Sequence, residues 1–170
     1  MNVMQQIHIE KATLNIGAGK DQAVLERGVK LIKHITGIDP VKTYTTKRIP
    51  TWGLRPGLPI GCKLTLRGKK AEEIITSMLK AKNNKLKRTY FDNSGSVSFG
   101  LHEYIDIPQV KYVPEIGLLG LQICITLEKP GYHIKKRKIM TRTIPVRGRI
   151  TQDGAIAFMK QKFGITLDDE

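Results

Sequence analysis

Residues 59–68 read Pro59-Ile60-Gly61-Cys62-Lys63-Leu64-Thr65-Leu66-Arg67-Gly68. Ile60, Cys62, Leu64 and Leu66 alternate with Lys63, Thr65 and Arg67, and successive side chains of a strand point to opposite faces. One face therefore suits a core and the other a polar partner. Working outward, residues 9–16 repeat the pattern, with Ala12, Leu14 and Ile16 on one side and Lys11, Thr13 and Asn15 on the other. Gly17-Ala18-Gly19 turns the chain, Asp21 is placed to cap a helix, and Leu25, Gly28 or Val29, Ile32 and Ile35 recur at helical spacing. This spacing predicts a helix over 21–36, stopped by Gly37. Residues 41–46 alternate again and are expected to pair with 60–67 as a long hairpin. The connecting loop carries Pro50, Pro56 and Pro59 with Gly53 and Gly57, which excludes regular structure there.

The rest of the chain continues in the same terms. Ala71, Ile74, Ile75, Met78 and Leu79 make the apolar stripe of a helix over 69–82. Val97, Phe99 and Leu101 mark another strand, and Leu121, Ile123, Ile125 and Leu127 a last one over 120–127. Pro108 and Pro114 mark a loop between them. Thr151 is placed to cap a final helix bearing Ala155, Ile156, Met159 and Phe163 and closed by Gly164. The expected fold is α+β: an antiparallel sheet of about five strands with helices packed on one face, plus a basic extended arm. Residues 1–170 are expected to form a single domain.

Charge narrows the partner. There are 29 Lys and Arg against 15 Asp and Glu, a net +14. Residues 40–71, 80–91 and 129–152 contain no acid, although an even spread would place about six there. Acids gather instead on helices and at Asp168, Asp169 and Glu170. Negative charge is being kept away from certain surfaces, as a polyanion site requires. No run approaches the roughly 18 apolar residues of a membrane span, and the first residues lack a secretory apolar core. A cytoplasmic protein that binds neither membrane nor DNA is expected, with Cys62 and Cys124 reduced and buried.

Enzymatic readings find little support. His8, His34, His102 and His133 fall in separate elements with no metal-ligand spacing, and no metal or cofactor is expected. Gly17 and Gly19 lack the remainder of a phosphate loop, although backbone N–H groups there could hold an RNA phosphate. Three groups of residues suit RNA. The loop Lys47, Arg48, Ile49, Pro50, Thr51, Trp52, Gly53, Leu54, Arg55 sets the only Trp among cations, where it either stacks on a base or folds back onto the core. The run 129–149 carries Lys135, Lys136, Arg137, Lys138, Arg142, Arg147 and Arg149 and no acid, so it is expected to order against RNA. The outward strand face offers Lys11, Thr13, Asn15, Lys63, Thr65 and Arg67 to phosphate and ribose. A structural RNA-binding protein, a free RNA chaperone and a nucleotide-using enzyme are the readings open at this level.

Five segments carry a resemblance: TLNIGAG at 13–19, ITGIDPV at 35–41, RPGLPIGCKLTLRG at 55–68, FGLHEYIDIP at 99–108 and TLEKPGY at 126–132. The chain resembles the family of the fifth large-subunit ribosomal protein, which binds 5S rRNA in the central protuberance. The basic run after Lys129 is similar to the archaeal and eukaryotic form, and the short chain favours an archaeal source. The resemblance implies a non-enzymatic structural role, binding 5S rRNA and 23S rRNA beside neighbouring large-subunit ribosomal proteins. It carries the 5S rRNA contact onto Asn15, Thr65 and Arg67, with Lys63, Gly17 and Gly19 nearby, and directs loop 47–57 at P-site tRNA. Two departures accompany it: Ile38 stands where many relatives have Gln, and Pro50 and Trp52 are bulkier than expected of that loop.

Overall fold

The structure, a computed structural model, describes residues 2–108 and 110–168. The strands β1 (His8–Gly17), β2 (Val41–Tyr44), β3 (Pro59–Leu66), β5 (Val97–Leu101) and β6 (Leu121–Glu128) form one sheet in the order β2-β3-β1-β6-β5, with every neighbouring pair antiparallel. These are the five expected strands, and β2 and β3 form the expected hairpin. Two three-residue strands escape the sequence patterns: β4 (Lys85–Lys87) and β7 (Thr166–Asp168) pair in parallel as a separate ribbon. Asp169 and Glu170 lie outside the described residues.

Helices α1 (Gln22–Thr36), α2 (Lys69–Ala81) and α3 (Gln152–Phe163) cover the apolar side. Their buried residues join Ala12, Leu14, Ile16, Cys62, Leu64, Leu66 and the inward residues of β5 and β6 in a single core. Gly28 sets the approach of α1 to the sheet. A Cβ at that position would stand 3.2 Å from Ile16 Cγ2 and 3.3 Å from Cys62 Sγ, so glycine here trades helix propensity for close packing. The α1 stripe comprises Leu25, Gly28, Leu31 and Ile32, with Ile35 only partly buried.

Capping follows expectation at one end of the molecule and departs from it at another. Thr151 accepts a hydrogen bond from the Gly154 N–H and starts α3, while Gly37 and Gly164, both left-handed, close α1 and α3. Asp21 precedes α1 without a side-chain capping bond. The turn is held by main chain instead, since Ala18 and Gly19 N–H groups both donate to the Ile60 carbonyl.

The basic run 129–149 is a closed loop rather than an extended arm. Tyr132 is buried and its hydroxyl donates to the Gly148 carbonyl at 2.9 Å, while Lys129 Nζ donates to the Arg149 carbonyl at 3.3 Å. Within the loop, Arg137 Nε donates to the Met140 carbonyl and Arg149 Nε to the Ile144 carbonyl. Intraloop carbonyls thus satisfy a donor of each of these two guanidinium groups and fix the path of the loop, while the charges remain. Among the described residues, no helix is long and apolar enough to cross a membrane.

Candidate nucleic-acid interface

Because the helices lie on one side, the opposite face of the sheet is uncovered, and the strand register assembles its outward side chains into cross-strand rows. Thr65 is paired with Thr13, Thr13 with Cys124, and Cys124 with Ser98. The next row runs Lys63, Asn15, Gln122, Gly100, with Asn15 Nδ2 and Gln122 Oε1 3.5 Å apart. Beyond these, Gly17 meets Gly61. Hydroxyls and carboxamides therefore occupy the centre, and Lys63 and Arg67 stand exposed on the β3 side. The six expected face residues do share this surface. Gln122, Ser98 and Thr126 share it as well, although the sequence reading did not single them out. Their signal was present, because inward Leu121, Ile123, Ile125 and Leu127 oblige the residues between them to point outward.

A β-bulge reshapes one end of the face. Ile9 pairs with Leu127 and Lys11 with Thr126, leaving Glu10 as the extra residue. Its carboxylate, nearly buried, accepts from Lys136 at 2.7 Å and Arg67 at 3.4 Å, with Lys11 at 4.0 Å. Lys136 also donates to Glu128 at 2.8 Å. Burial alone would push the Glu10 pKa up, but Lys136, Lys11 and Arg67 outweigh it and hold the carboxyl below its ordinary range. Burial would likewise lower the Lys136 pKa, and the two carboxylates raise it instead. Lys136 thus ties the closed loop to the sheet, whereas Lys135, Lys138, Arg142 and Arg147 are exposed and have no carboxylate partner among the described residues.

The hairpin tip is equally ordered. Ile49 and Leu54 bridge each other, Pro50–Trp52 form a 3-10 turn, and Gly53 closes it in the left-handed region. Thr45 N–H donates to the Leu58 carbonyl and Gly57 N–H to the Thr45 carbonyl. Trp52 is 68% exposed, so the indole is displayed and not folded onto the core. Lys47, Arg48, Thr51 and Arg55 are exposed beside it, while Leu54 is buried and holds the tip together. Ile38, in the turn after α1, packs against the core.

The cysteines lie on opposite faces. Cys62 is fully buried and its thiol is pushed up to about 11 by that burial. Cys124, expected to be buried, is half-exposed within the hydroxyl row. The described residues contain no cluster of three or more His, Cys, Asp or Glu able to hold a metal ion.

Two family models cover most of the chain. Residues 2–55 match ribosomal protein L5, and residues 59–156 match the model of the C-terminus of that ribosomal family. The chain belongs to the ribosomal protein L5 family. Among curated relatives, the large ribosomal subunit protein uL5 of Methanosphaera stadtmanae is 44% identical over 168 residues, covering 99% of this chain and 100% of the relative. Those named uL5 in Sulfolobus acidocaldarius and Nanoarchaeum equitans are 44% and 42% identical, covering 98% and 96% of this chain and 93% and 97% of their own. The chain has the archaeal form of this family, a family of structural ribosomal proteins rather than enzymes. The break between the two L5 matches falls in the hairpin loop, yet β3 of the second segment lies between β1 and β2 of the first. The two L5 segments therefore share one sheet and one core.

Proposed function

We propose that the uncovered face of the sheet binds 5S rRNA, that the basic loop 129–149 adds contacts to rRNA, and that loop 47–57 reaches P-site tRNA. In this reading the whole described chain acts as a single RNA-binding domain, holding 5S rRNA and 23S rRNA together in the central protuberance. The observation that carries it is the outward row structure: Lys63, Asn15 and Gln122 beside Thr65, Thr13 and Ser98, with Arg67 at one corner. Cations hold phosphates while hydroxyls and amides meet ribose 2′-OH groups, a combination suited to RNA over DNA. Gly17 and Gly19 border this face, and the exposed Trp52 offers a stacking surface to the tRNA. The loop cations Lys135, Arg137, Lys138, Arg142, Arg147 and Arg149 would neutralise rRNA phosphates. As a large-subunit protein the chain works in the cytoplasm, beside other large-subunit proteins.

Filter binding to 5S rRNA tests the assignment of surfaces. Deleting residues 49–55 is expected to leave 5S rRNA affinity intact and impair tRNA handling by reconstituted subunits. Loss of 5S rRNA binding from that deletion alone would reverse the assignment. In sedimentation the protein is expected to travel with large subunits; confinement to light fractions would favour a free RNA chaperone.

A further inference from the structure

The closed form of loop 129–149 leaves a groove against the first residues of the chain, at the end of the sheet where β1 begins and β6 ends. It holds about 520 Å³, walled by Met4 and Ile7 on one side and by Pro130, Ile134, Ile144 and Pro145 on the other. That volume lies within the roughly 300–1,000 Å³ of ligand sites. Both walls are set before any ligand arrives. The Tyr132 hydroxyl donates to the Gly148 carbonyl across the loop, and Met4 rests on Gly131, where a Cβ would stand 3.3 Å from the Met4 Cε.

Exposed apolar surface gathers in the same two segments. Twelve large hydrophobic side chains are exposed among the described residues, and six of them belong here: Val3, Met4, Ile134, Ile139, Met140 and Val146. Scattered exposed hydrophobics need no explanation, but a concentration of them rimmed by polar groups marks a contact surface. The charge at this rim has one sign. Lys129 and Arg147 line the groove, and past Thr143 and Ile144 a second recess of about 310 Å³ is lined by Lys135 and Arg149. Among the described residues, no carboxylate lines either hollow.

We infer that the groove takes a segment of a second protein in which aliphatic side chains are flanked by Asp or Glu. The aliphatic anchor covers apolar wall that is otherwise hydrated, and its flanking carboxylates meet the cations at either end. The lining disfavours RNA, whose unpaired bases stack on displayed rings. Tyr132 is the one ring in either hollow, and it is buried, with Lys135 Nζ 5.1 Å from its centroid. The shape disfavours a membrane surface, which receives the apolar side of an amphipathic helix, whereas these walls are short turns and irregular chain around a hollow. The groove is separate from the sheet face read above as an RNA surface. Its rim cations belong to both readings, so the decisive substitutions are made at Met4 and Ile134 instead.

The test titrates the full-length protein, isotope-labelled at its methionine methyls, with a short peptide of adjacent leucines between glutamates. The Met4 methyl resonance is expected to shift, while those of the buried Met78 and Met159 stay in place. Changing the peptide's leucines to serine should weaken binding by about tenfold or more, and changing its glutamates to glutamine by about threefold. Met4→Glu sets a negative charge on one exposed wall and should weaken the peptide by about tenfold with the melting temperature and 5S rRNA affinity unchanged. Ile134→Glu, on the opposite wall, should repeat that result. No Met4 shift up to about 1 mM peptide, equal binding of the serine peptide, or full affinity in both variants overturns the proposal. Displacement of the peptide by 5S rRNA with its own shift of Met4 assigns the groove to RNA, and displacement by phosphatidylglycerol vesicles assigns it to a membrane surface; either result overturns a protein occupant.

Discussion

Arg67 and Thr65 stand at the same outward edge of the sheet, yet they contribute different chemistry. Arg67 is exposed and shares Glu10 with Lys136, so its guanidinium is oriented before RNA arrives. A charge-assisted bond to phosphate is roughly twice as strong as a neutral one, and Arg67→Ala is expected to weaken 5S rRNA binding by about tenfold, Thr65→Ala by about threefold. Glu10 keeps Lys136 and Lys11 when Arg67 is removed, and Thr65 is exposed, so neither change should move the melting temperature appreciably. Filter binding and thermal unfolding on the same preparations check both statements, and unchanged affinity in Arg67→Ala would remove this edge from the interface. The two thiols give an independent view of the same face. Cys62, buried and with its pKa pushed up to about 11, should resist iodoacetamide in the native protein at about pH 8. Cys124 should be alkylated in the free protein and protected when RNA covers the hydroxyl row, as read by peptide mass spectrometry. Equal labelling of Cys124 with and without 5S rRNA would mean that RNA sits elsewhere.

Single elements were legible in the sequence wherever one local rule decides them. Strand alternation has period two, so Lys63, Thr65 and Arg67 were assigned outward from residues 60–67 alone, and the glycines at 37 and 164 marked true helix ends. Properties that depend on residues distant in the chain were not legible. Glu10 falls out of alternation because of a bulge defined by its pairing with β6, and the β4–β7 ribbon joins segments about eighty residues apart. The closed form of 129–149 depends on Tyr132 reaching Gly148, a contact that composition alone reads as charge repulsion. The row Lys63, Asn15, Gln122, Gly100 depends on the mutual register of β3, β1, β6 and β5. The closed loop also carries its own pH prediction. Glu10 is held below its ordinary value of 4.5 in the folded state, so its contribution to loop docking is complete above that value and is lost as pH falls through the lowered pKa. Lys136 is raised, so its contribution holds through neutral pH and is lost only as pH rises through its raised pKa. Backbone amide resonances of Arg137 and Arg142 should therefore stay constant at neutral pH and shift with a midpoint below 4.5. Lys136→Met should produce the shifted spectrum already at neutral pH, and a spectrum identical to wild type would show that the ion pairs do not hold the loop.

At the scale of the whole molecule the question is how a net charge of +14 produces selective rather than indiscriminate binding. Part of the answer is that many cations are already committed. Lys30 pairs with Glu115, Lys33 with Asp39, Arg88 with Asp153, Lys162 with Glu72, and Lys136 with two carboxylates. The pairs at Lys30, Lys33, Arg88 and Lys162 involve residues of the helices or their turns, whereas Lys63, Lys47, Arg48, Arg55 and the tip of loop 129–149 have no carboxylate within 4.0 Å among the described residues. These pairs remove part of the charge of the helical side, while Lys63 and the cations of the two loops stay available to a polyanion. If about six to ten phosphates are neutralised on binding, affinity for 5S rRNA should fall by about 10³ to 10⁵ between 50 and 200 mM salt. Each neutralising substitution on the contacting surface should then reduce the slope of log affinity against log salt by about one, whereas one at Lys30 or Lys33 should leave it unchanged. Because deletion of residues 49–55 removes only Arg55 from the loop's cations and spares the sheet face, its slope on 5S rRNA should match wild type. Filter binding at four or five salt concentrations measures these slopes, and a flat response in the wild-type protein would exclude phosphate neutralisation as the source of affinity.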